Sequence, residues 1–364
     1  MAVSKPDPRK GNLYSLEPED LDNISRLCHG NQESMDIALT LFNSQRATNT
    51  GIGYAGVIRQ FKVFCQEQKD FSYENFGTKE VFGFIIQSYK VGKGKNFISY
   101  IKPAINTIET ARGITREDSV FSNDTIRAVL AGAKRRAAED APLVKKMDEL
   151  PLDCLKKGLM KHIWSKSVDE INFVVFRTLY RWMVMGFTLV RFEGYRHVQA
   201  KHVNIVTDKE GKRAVSILFI KDKNDQVHNG STRMLPEQQG EIIEPLTLTL
   251  LFFQKAGFTL GKGEDFLNCR SRGMNGSKAN GRFPLSYTTA LEDGKKVARE
   301  LGFADVKYGE TSAKRLGASN ARQNNVSLDT IAHVGGWRNK SMVERYLANS
   351  VDTKMQHARD LKFK

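Results

Sequence analysis

The residues with the most chemical promise lie near the C-terminus, in the segment IAHVGGWRNKSMVERYLANS. Gly335 and Gly336 are expected to end a helix, because glycine readily adopts the left-handed backbone that closes helices. Trp337 follows at once, and a second predicted helix brings Tyr346 nine residues later. A tyrosine hydroxyl is one of the protein groups that form covalent intermediates. Taken alone, however, a tyrosine near the end of a basic chain is more often a core or surface residue.

Upstream cations could hold an anion beside such a tyrosine. Arg315 is followed by Leu-Gly-Ala, Arg191 follows a long apolar helix, and Lys223 lies in a turn between two strand-like runs. A guanidinium is always charged and presents a fork of donors that matches phosphate oxygens. This set of residue types fits chemistry on a phosphodiester.

In its types and spacing, the set resembles the tyrosine recombinases, and most closely their Cre recombinase branch. There, too, Gly-Gly-Trp precedes the nucleophilic tyrosine by the same step. The resemblance also takes in Thr50–Tyr54, which looks like part of the family's core-binding domain. It covers about residues 19–364, and it is most specific around residues 312–346.

The resemblance implies a role for each residue. Tyr346 would attack phosphorus, and Arg191 and Arg315 would hold the oxygens on which negative charge develops. Lys223 would protonate the leaving 5′ oxygen, and Trp337 would donate its indole N–H to the phosphate. The reaction would pass through a 3′-phosphotyrosyl intermediate, with no metal and no cofactor.

Two of these assignments have an alternative in the sequence itself. Trp337 lies 22 residues after Arg315 and 23 after Lys314, and the family's spacing varies by one. The Leu-Gly-Ala that follows Arg315 favours Arg315, with Lys314 as the alternative. Lys221, two residues before Lys223, is likewise the alternative general acid.

The sequence departs from the family pattern at two positions. The histidine usual three residues before the second arginine is replaced by Ser312, with Thr311 beside it. His333 is expected to lie on a packing face instead. The acidic residue usual three positions after the first arginine is replaced by Gly194, and Glu193 is the nearest substitute.

The charge of the chain independently favours a polyanionic partner. The net charge is +15, and Lys and Arg exceed Asp and Glu by 13 in residues 151–364 but by only 2 in residues 1–150. An excess of this size favours nucleic acid over a membrane surface. Two basic runs are the predicted DNA contacts: Lys134, Arg135 and Arg136 in the first, and Arg338 and Lys340 in the second.

Hydrophobic periodicity predicts a mainly α-helical protein with a small antiparallel β-sheet in its C-terminal domain, which is a two-domain tyrosine recombinase architecture. The expected strands are 202–206, 214–220 and 232–235. The Gly-rich stretch 261–283 is expected to be a surface loop. A capping box at Ser167 and Glu170 is expected to begin a long helix. The predicted organisation is a flexible arm over residues 1–18, a helical DNA-binding domain over 19–137, a linker over 138–152 and a catalytic domain over 153–364.

From the resemblance we expect double-stranded DNA with an inverted-repeat site as the partner. The protein would be a monomer when free and a homotetramer on DNA, with a dimer on each site and residues 350–364 exchanged between neighbours. We expect no signal peptide and no membrane span, and an intracellular, DNA-associated location. Two other functions fit the same residues: a type IB topoisomerase, and a recombinase-derived protein that binds DNA without cleaving it.

Overall fold

The computed structural model describes residues 14, 16, 18–29, 31–44, 48–141, 147–220, 230–273, 276–344 and 346–347. The fold is mainly helical with two small antiparallel sheets, as the sequence predicts. The chain divides into two compact units, Met1–Lys145 and Lys146–Lys364, and the division falls inside the predicted linker. Across the described residues, no helix is long and apolar enough to cross a membrane.

The N-terminal unit is a bundle of α-helices around one apolar core. Its helices are α1 (Asp22–Leu27), α2 (Gln32–Ser44), α3 (Thr48–Glu67), α4 (Thr78–Lys90), α5 (Lys95–Ala111) and α6 (Asp124–Glu139). Helix α3 packs on α5, and both bury the apolar stripe that the sequence shows at helical spacing. Phe61 is fully buried and contacts the rings of Tyr73, Phe76 and Phe84.

Two residues of the predicted flexible arm belong to this core. Tyr14 and Leu16 are buried, and the ring of Tyr14 lies edge-on to that of Phe42 at 5.8 Å between centroids. The prediction of a loose arm over residues 1–18 is therefore wrong for these two positions. The neighbouring prolines and charged residues led to the prediction of a loose arm, although the bundle buries these two apolar side chains.

The C-terminal unit has eight α-helices in its described part. They are α7 (Leu152–Leu159), α8 (Phe173–Thr188), α9 (Phe192–Arg196), α10 (Pro245–Ala256), α11 (Tyr287–Glu300), α12 (Ser312–Gln323), α13 (Leu328–Gly335) and α14 (Lys340–Glu344). Helix α8 lies at the centre and packs against α7, α10, α11 and α12. It is apolar on almost all sides, which is typical of a buried helix.

The main sheet of this unit has three antiparallel strands in the order β1 (Val203–Thr207), β2 (Arg213–Phe219) and β3 (Ser231–Pro236). Val203 pairs with Ile217, and Phe219 pairs with Ser231. The three predicted strands agree with the observed ones to within one residue at each end. Alternation of buried and exposed residues along β2 explains why this sheet is readable from the sequence.

Two local expectations are wrong. The stretch 261–283 contains a second antiparallel pair, β4 (Cys269–Arg272) and β5 (Lys278–Pro284), rather than only a surface loop. Helix α8 begins after Asn172, whose side chain accepts from the N–H of Val175. Ser167 and Glu170 do bond to each other, at 2.7 Å between Oγ and Oε2, but in a turn that precedes the helix.

Two arginines of α8 are buried in the core of this unit. Arg177 contacts Asp293 at 2.5 Å, and Arg181 lies 3.4 Å from Glu310. Arg181 also donates to the carbonyl of Ala290 at 2.8 Å. Each buried guanidinium therefore has a carboxylate partner on another segment, which is how a charge is tolerated inside a protein.

Candidate active site

Tyr346 and Trp337 lie side by side in the C-terminal unit. Their ring centroids are 4.9 Å apart and the planes are inclined by 56°. Trp337 is buried and Tyr346 is half-buried, so the tyrosine keeps access to solvent. Both belong to a small apolar group, here called the Trp337 cluster, whose members are Leu189, Ala318, Ile331, Ala332, Trp337 and Val343, with Tyr346 packed against them.

The two glycines before Trp337 set the position of its ring. Gly336 has the left-handed backbone, with φ of 63°, and follows the last residue of α13. The turn is closed by the N–H of Trp337, which donates to the carbonyl of Ala332 at 2.9 Å. A Cβ atom on Gly335 would overlap the indole ring. Gly335 therefore leaves the space in which the ring lies.

The indole N–H of Trp337 is a buried donor that has no hydrogen-bond partner among the residues that the structure describes. Leaving such a donor unsatisfied costs about 1–3 kcal/mol. A buried donor beside the candidate nucleophile fits an acceptor that arrives with a ligand. A phosphate oxygen is an acceptor of that kind.

Lys314 is the cation that the structure brings to this pair. Its side chain is buried, and Nζ donates to the carbonyl of Gly335 at 3.1 Å. Nζ lies 4.0 Å from the centroid of the Trp337 ring and 5.5 Å from that of Tyr346. An ammonium group over aromatic faces is held by cation–π attraction.

Arg315, the preferred sequence candidate, is directed elsewhere. Its guanidinium donates to the carbonyl of Met147 at 2.6 Å. Burial raises the pKa of the nearby Glu149 carboxyl, and the positive charge of Arg315 opposes that rise. The structure therefore brings the alternative, Lys314, and not Arg315, to Trp337 and Tyr346.

The reason lies in the packing of α12 on α8. A Cβ atom on Gly317 would overlap the carbonyl oxygen of Gly186, so Gly317 marks the face of α12 that meets α8. Lys314 is three residues before Gly317 and shares that face, whereas Arg315 is two residues before it and is turned by about 200°. The Leu-Gly-Ala motif thus orients Lys314 inward and Arg315 outward.

Ser312, at the position of the family's usual histidine, is also held by the backbone. Its hydroxyl donates to the carbonyl of Asp148 at 2.7 Å and accepts from the N–H of Gly309 at 3.0 Å. Ser312 is fully buried, and Thr311 beside it is exposed. His333 is exposed on α13, so the expectation that it lies on a packing face is wrong.

Arg191 lies at the start of α9, two residues after Leu189 of the Trp337 cluster. Leu189 is buried with a left-handed backbone (φ of 52°), which turns the chain at the end of α8. Arg191 is half-buried, and its carbonyl accepts from the N–H of Gly194 at 3.0 Å. Glu193 lies 3.2 Å from His197, and this hydrogen bond is the main cause that lowers the pKa of Glu193.

The two candidate general acids, Lys223 and Lys221, lie outside the described residues. The strands on either side are described, and Phe219 at the end of β2 pairs with Ser231 at the start of β3. The position of either ammonium group therefore stays a prediction.

Arg233 of β3 was missed at the sequence level. Its guanidinium donates to the carbonyls of Thr188, at the end of α8, and Val334, in α13. A sequence signal existed, because strand alternation places Arg233 on the same face as Leu235, which is fully buried. A cation on the buried face of a strand indicates a specific partner.

The residues predicted to contact DNA are all exposed. In the N-terminal unit, Lys134, Arg135 and Arg136 lie near the end of α6. In the C-terminal unit, Arg338 and Lys340 follow Trp337, and Lys340 lies 2.9 Å from Asp329. Exposure is what phosphate contacts require, and surface ion pairs such as the latter are weak.

Comparisons with known proteins place the fold. No protein-family model matches the sequence, and no curated protein sequence matches it. The XerH site-specific recombinase, in a post-cleavage complex with its palindromic difH substrate, is 13% identical with a TM-score of 0.54, over 96% of this chain and 92% of that one.

Two further solved structures resemble this chain less closely in TM-score. The Tn1549 transposon integrase in complex with transposon right end DNA is 10% identical with a TM-score of 0.47, over 87% of this chain and 95% of that one. A lambda integrase dimer bound to a COC′ core site is 14% identical with a TM-score of 0.45, over 91% and 95%. The predicted closeness to the Cre branch receives no support from these likenesses. The XerH comparison shows that this chain has a mainly helical fold similar to that of the XerH structure.

Proposed function

We propose that the protein is a site-specific DNA recombinase of the tyrosine type, with Tyr346 as its nucleophile. The observation that carries this proposal is the grouping of Tyr346, Trp337 and Lys314 within one small cluster. A nucleophile, a buried neutral donor and a cation are what attack on a phosphodiester needs. The XerH-like fold supports the same reading.

In the proposed reaction, a bond forms between Oη of Tyr346 and the scissile phosphorus while the bond from phosphorus to the 5′ oxygen breaks. Tyr346 releases its hydroxyl proton to water, to which its half-buried side chain has access. The protein is left joined to the 3′ phosphate, and the 5′ oxygen takes a proton. We assign that proton to Lys223, with Lys221 as the alternative. Reversal by the 5′ hydroxyl of another strand completes strand exchange, with no net hydrolysis and no need for ATP or a metal ion.

Three groups would share the negative charge on the non-bridging oxygens: Arg191, Lys314 and the indole N–H of Trp337. Lys314 replaces Arg315 in this role because its ammonium lies over the rings of Trp337 and Tyr346. An ammonium has three donors, so Lys314 can keep its bond to Gly335 and still donate to a phosphate. Ser312 takes no part in proton transfer, because its hydroxyl is bonded to the backbone.

The assembly we propose is a homotetramer that joins two DNA sites. Each site would be an inverted repeat bound by two protomers, and the free protein would be a monomer. Residues 350–364, which lie outside the described residues, are the segment we propose to be exchanged between neighbours. The protein would act inside the cell, on DNA.

The test begins with selection of bound sequences from random duplex DNA, which identifies the site. A suicide substrate nicked near the scissile phosphate then traps the covalent intermediate. We expect the wild type to form a protein–DNA adduct and Tyr346→Phe to form none, while both bind the duplex equally. An adduct that persists in Tyr346→Phe would rule out this nucleophile.

One observation favours a second function, a DNA-binding protein without cleavage. The usual histidine is missing with either cation: the position three residues earlier is Thr311 for Lys314 and Ser312 for Arg315, and the Ser312 hydroxyl is bonded to Asp148 and Gly309. Tight, sequence-specific binding with no adduct from the wild type, over a range of pH and salt, would establish that function instead. Relaxation of supercoiled DNA without a specific site would indicate a type IB topoisomerase.

A further inference from the structure

The hairpin of β4 and β5 carries four exposed cations, three of them on one face. Arg270 pairs with Asn280, and Arg272 pairs with Lys278 directly across the ladder. Residues two apart on a strand point to the same side, so Arg270, Arg272 and Lys278 share one face, while Arg282 lies where the pairing register shifts. Arg270, Arg272, Lys278 and Arg282 are all exposed.

The opposite face of the hairpin is buried against the unit. Cys269, Ala279 and Gly281 have little or no exposure. The carbonyl of Cys269 accepts from Arg177, and that of Gly281 accepts from the N–H of Phe266 at 2.9 Å. The cationic face is therefore presented by a ribbon that is fixed from behind.

Folding alone does not account for this pattern of charge. Like charges directly opposite on a ladder destabilise it, and Arg272 faces Lys278. Within the described part of the chain, none of the four cations forms an ion pair; Arg270 instead lies 5.8 Å from the ring centroid of Phe283. The arrangement carries a cost that an anionic partner would offset.

The hairpin leads directly towards the candidate active site. Strand β5 ends at Pro284, three residues before α11 begins at Tyr287. The exposed ring of Tyr287 packs edge-on against Phe192 at 5.6 Å, and Phe192 follows Arg191 in the chain. A duplex held by the hairpin would thus be bound on a surface joined to the one that carries Arg191.

We propose that this face of the β4–β5 hairpin is a second DNA-contact surface, which binds the phosphates of duplex DNA beside the cleavage site. It rests on the proposed function, because the neighbouring site is taken to act on DNA. A two-stranded ribbon is one of the two elements that the major groove of B-DNA admits. The contacts to phosphate would supply affinity and register rather than sequence readout.

The test compares Arg272→Ala/Lys278→Ala with a charge-matched control, Lys166→Ala/Lys209→Ala. Both control lysines are exposed and lie in the same unit, away from this hairpin in sequence. Binding to a short fluorescent DNA duplex of arbitrary sequence is measured by anisotropy over a range of salt. Since each phosphate contact contributes about 0.9 to the slope of log K against log salt, the hairpin variant should lose about 1–2 of that slope and bind about fivefold to tenfold more weakly.

The control should keep the wild-type slope and affinity. The hairpin variant should also unfold at the same temperature as the wild type or higher, because it removes a repulsion. Loss of binding together with undiminished stability would exclude misfolding as the cause. An unchanged slope in the hairpin variant, or an equal loss in the control, would overturn the proposal.

Two competitors test the class of partner. Double-stranded RNA and vesicles with anionic lipids are offered to the wild type and the hairpin variant in the same assay. A hairpin-dependent affinity for either of them, with duplex DNA binding unaffected, would overturn the assignment to DNA. The adduct assay with Tyr346→Phe tests the proposed cleavage separately. If the wild type forms the adduct but the hairpin variant binds DNA normally, only the hairpin proposal fails. If the hairpin variant binds more weakly but the wild type forms no adduct, only the proposed cleavage fails.

Discussion

Arg181 and Lys314 are both buried cations of the C-terminal unit, and their surroundings differ. Arg181 has no exposure and faces the carboxylate of Glu310, deep in the core around α8. Lys314 is equally buried, but its ammonium contacts a backbone carbonyl and the faces of Trp337 and Tyr346. The buried charge of Arg181 therefore contributes to stability, whereas the buried charge of Lys314 lies beside the residues proposed to do chemistry.

The largest effect is expected from removal of Arg181. Burial raises the pKa of Glu310, and Arg181 acts against that rise. Arg181→Ala leaves the carboxylate without its partner guanidinium and should destabilise the protein by about 3–5 kcal/mol at neutral pH. Chemical denaturation measures the unfolding free energy.

The sign of the pH dependence follows from the raised pKa. The folded state binds the proton of Glu310 more tightly than the unfolded state does, so the cost of Arg181→Ala should shrink as the pH falls towards the ordinary range of a glutamate. The matched control is Arg181→Met/Glu310→Gln, which removes both charges and should cost much less. If Arg181→Ala were as stable as the double variant, Arg181 would not stabilise the protein through its pairing with Glu310.

The proposed catalytic role of the buried cation is tested by variants of Lys314 and Arg315. Lys314→Met keeps the apolar stem and should lower the rate of adduct formation by about 100-fold to 1,000-fold, the usual loss when one donor to a transition-state oxyanion is removed. Lys314→Arg should restore part of that rate. Single-turnover kinetics on the nicked substrate give these values.

Arg315→Ala is the matched variant on the other face of α12. It removes the bond to the carbonyl of Met147 and should cost about 1 kcal/mol of stability, with adduct formation within about threefold of wild type. The opposite pattern, in which Arg315→Ala abolishes cleavage and Lys314→Met does not, would show that the sequence alignment on Leu-Gly-Ala was right.

The smallest effect tests the packing that separates these two side chains. A methyl group on Gly317 would overlap the carbonyl of Gly186, so Gly317→Ala should destabilise the protein by about 1–3 kcal/mol. Gly132 lies inside α6 with nothing within 4 Å of the added atom. Gly132→Ala should therefore stabilise the protein by roughly 0.5–1 kcal/mol. Equal thermal shifts in the two variants would mean that α12 does not depend on this close approach.

Much of the fold could be predicted because its patterns are local. The alternation along β2 and the apolar stripes of α3 and α5 are complete within a few residues. The second hairpin was missed because β4 has only four residues and the buried positions of the pair include Cys269, Ala279 and Gly281. Small side chains give little hydrophobic alternation to read.

The candidate site was only partly predictable for a different reason. Trp337 and Tyr346 are close because only the short helix α14 separates them in the chain, so their spacing carried the information. The choice between Lys314 and Arg315 depended on which face of α12 meets α8, a contact between distant segments. The period of the helix could have predicted which of the two side chains faces Trp337 once Gly317 was taken as the residue that packs on α8.

Arg233 connects three segments of the C-terminal unit by hydrogen bonds. One guanidinium bonds to the carbonyls of Thr188 and Val334. Thr188 lies three residues before Arg191 and Val334 lies three residues before Trp337, while Arg233 itself lies on β3. A displacement of this single side chain would shift the backbone near both candidate groups together, so the alignment of Arg191 with Trp337 depends on one guanidinium.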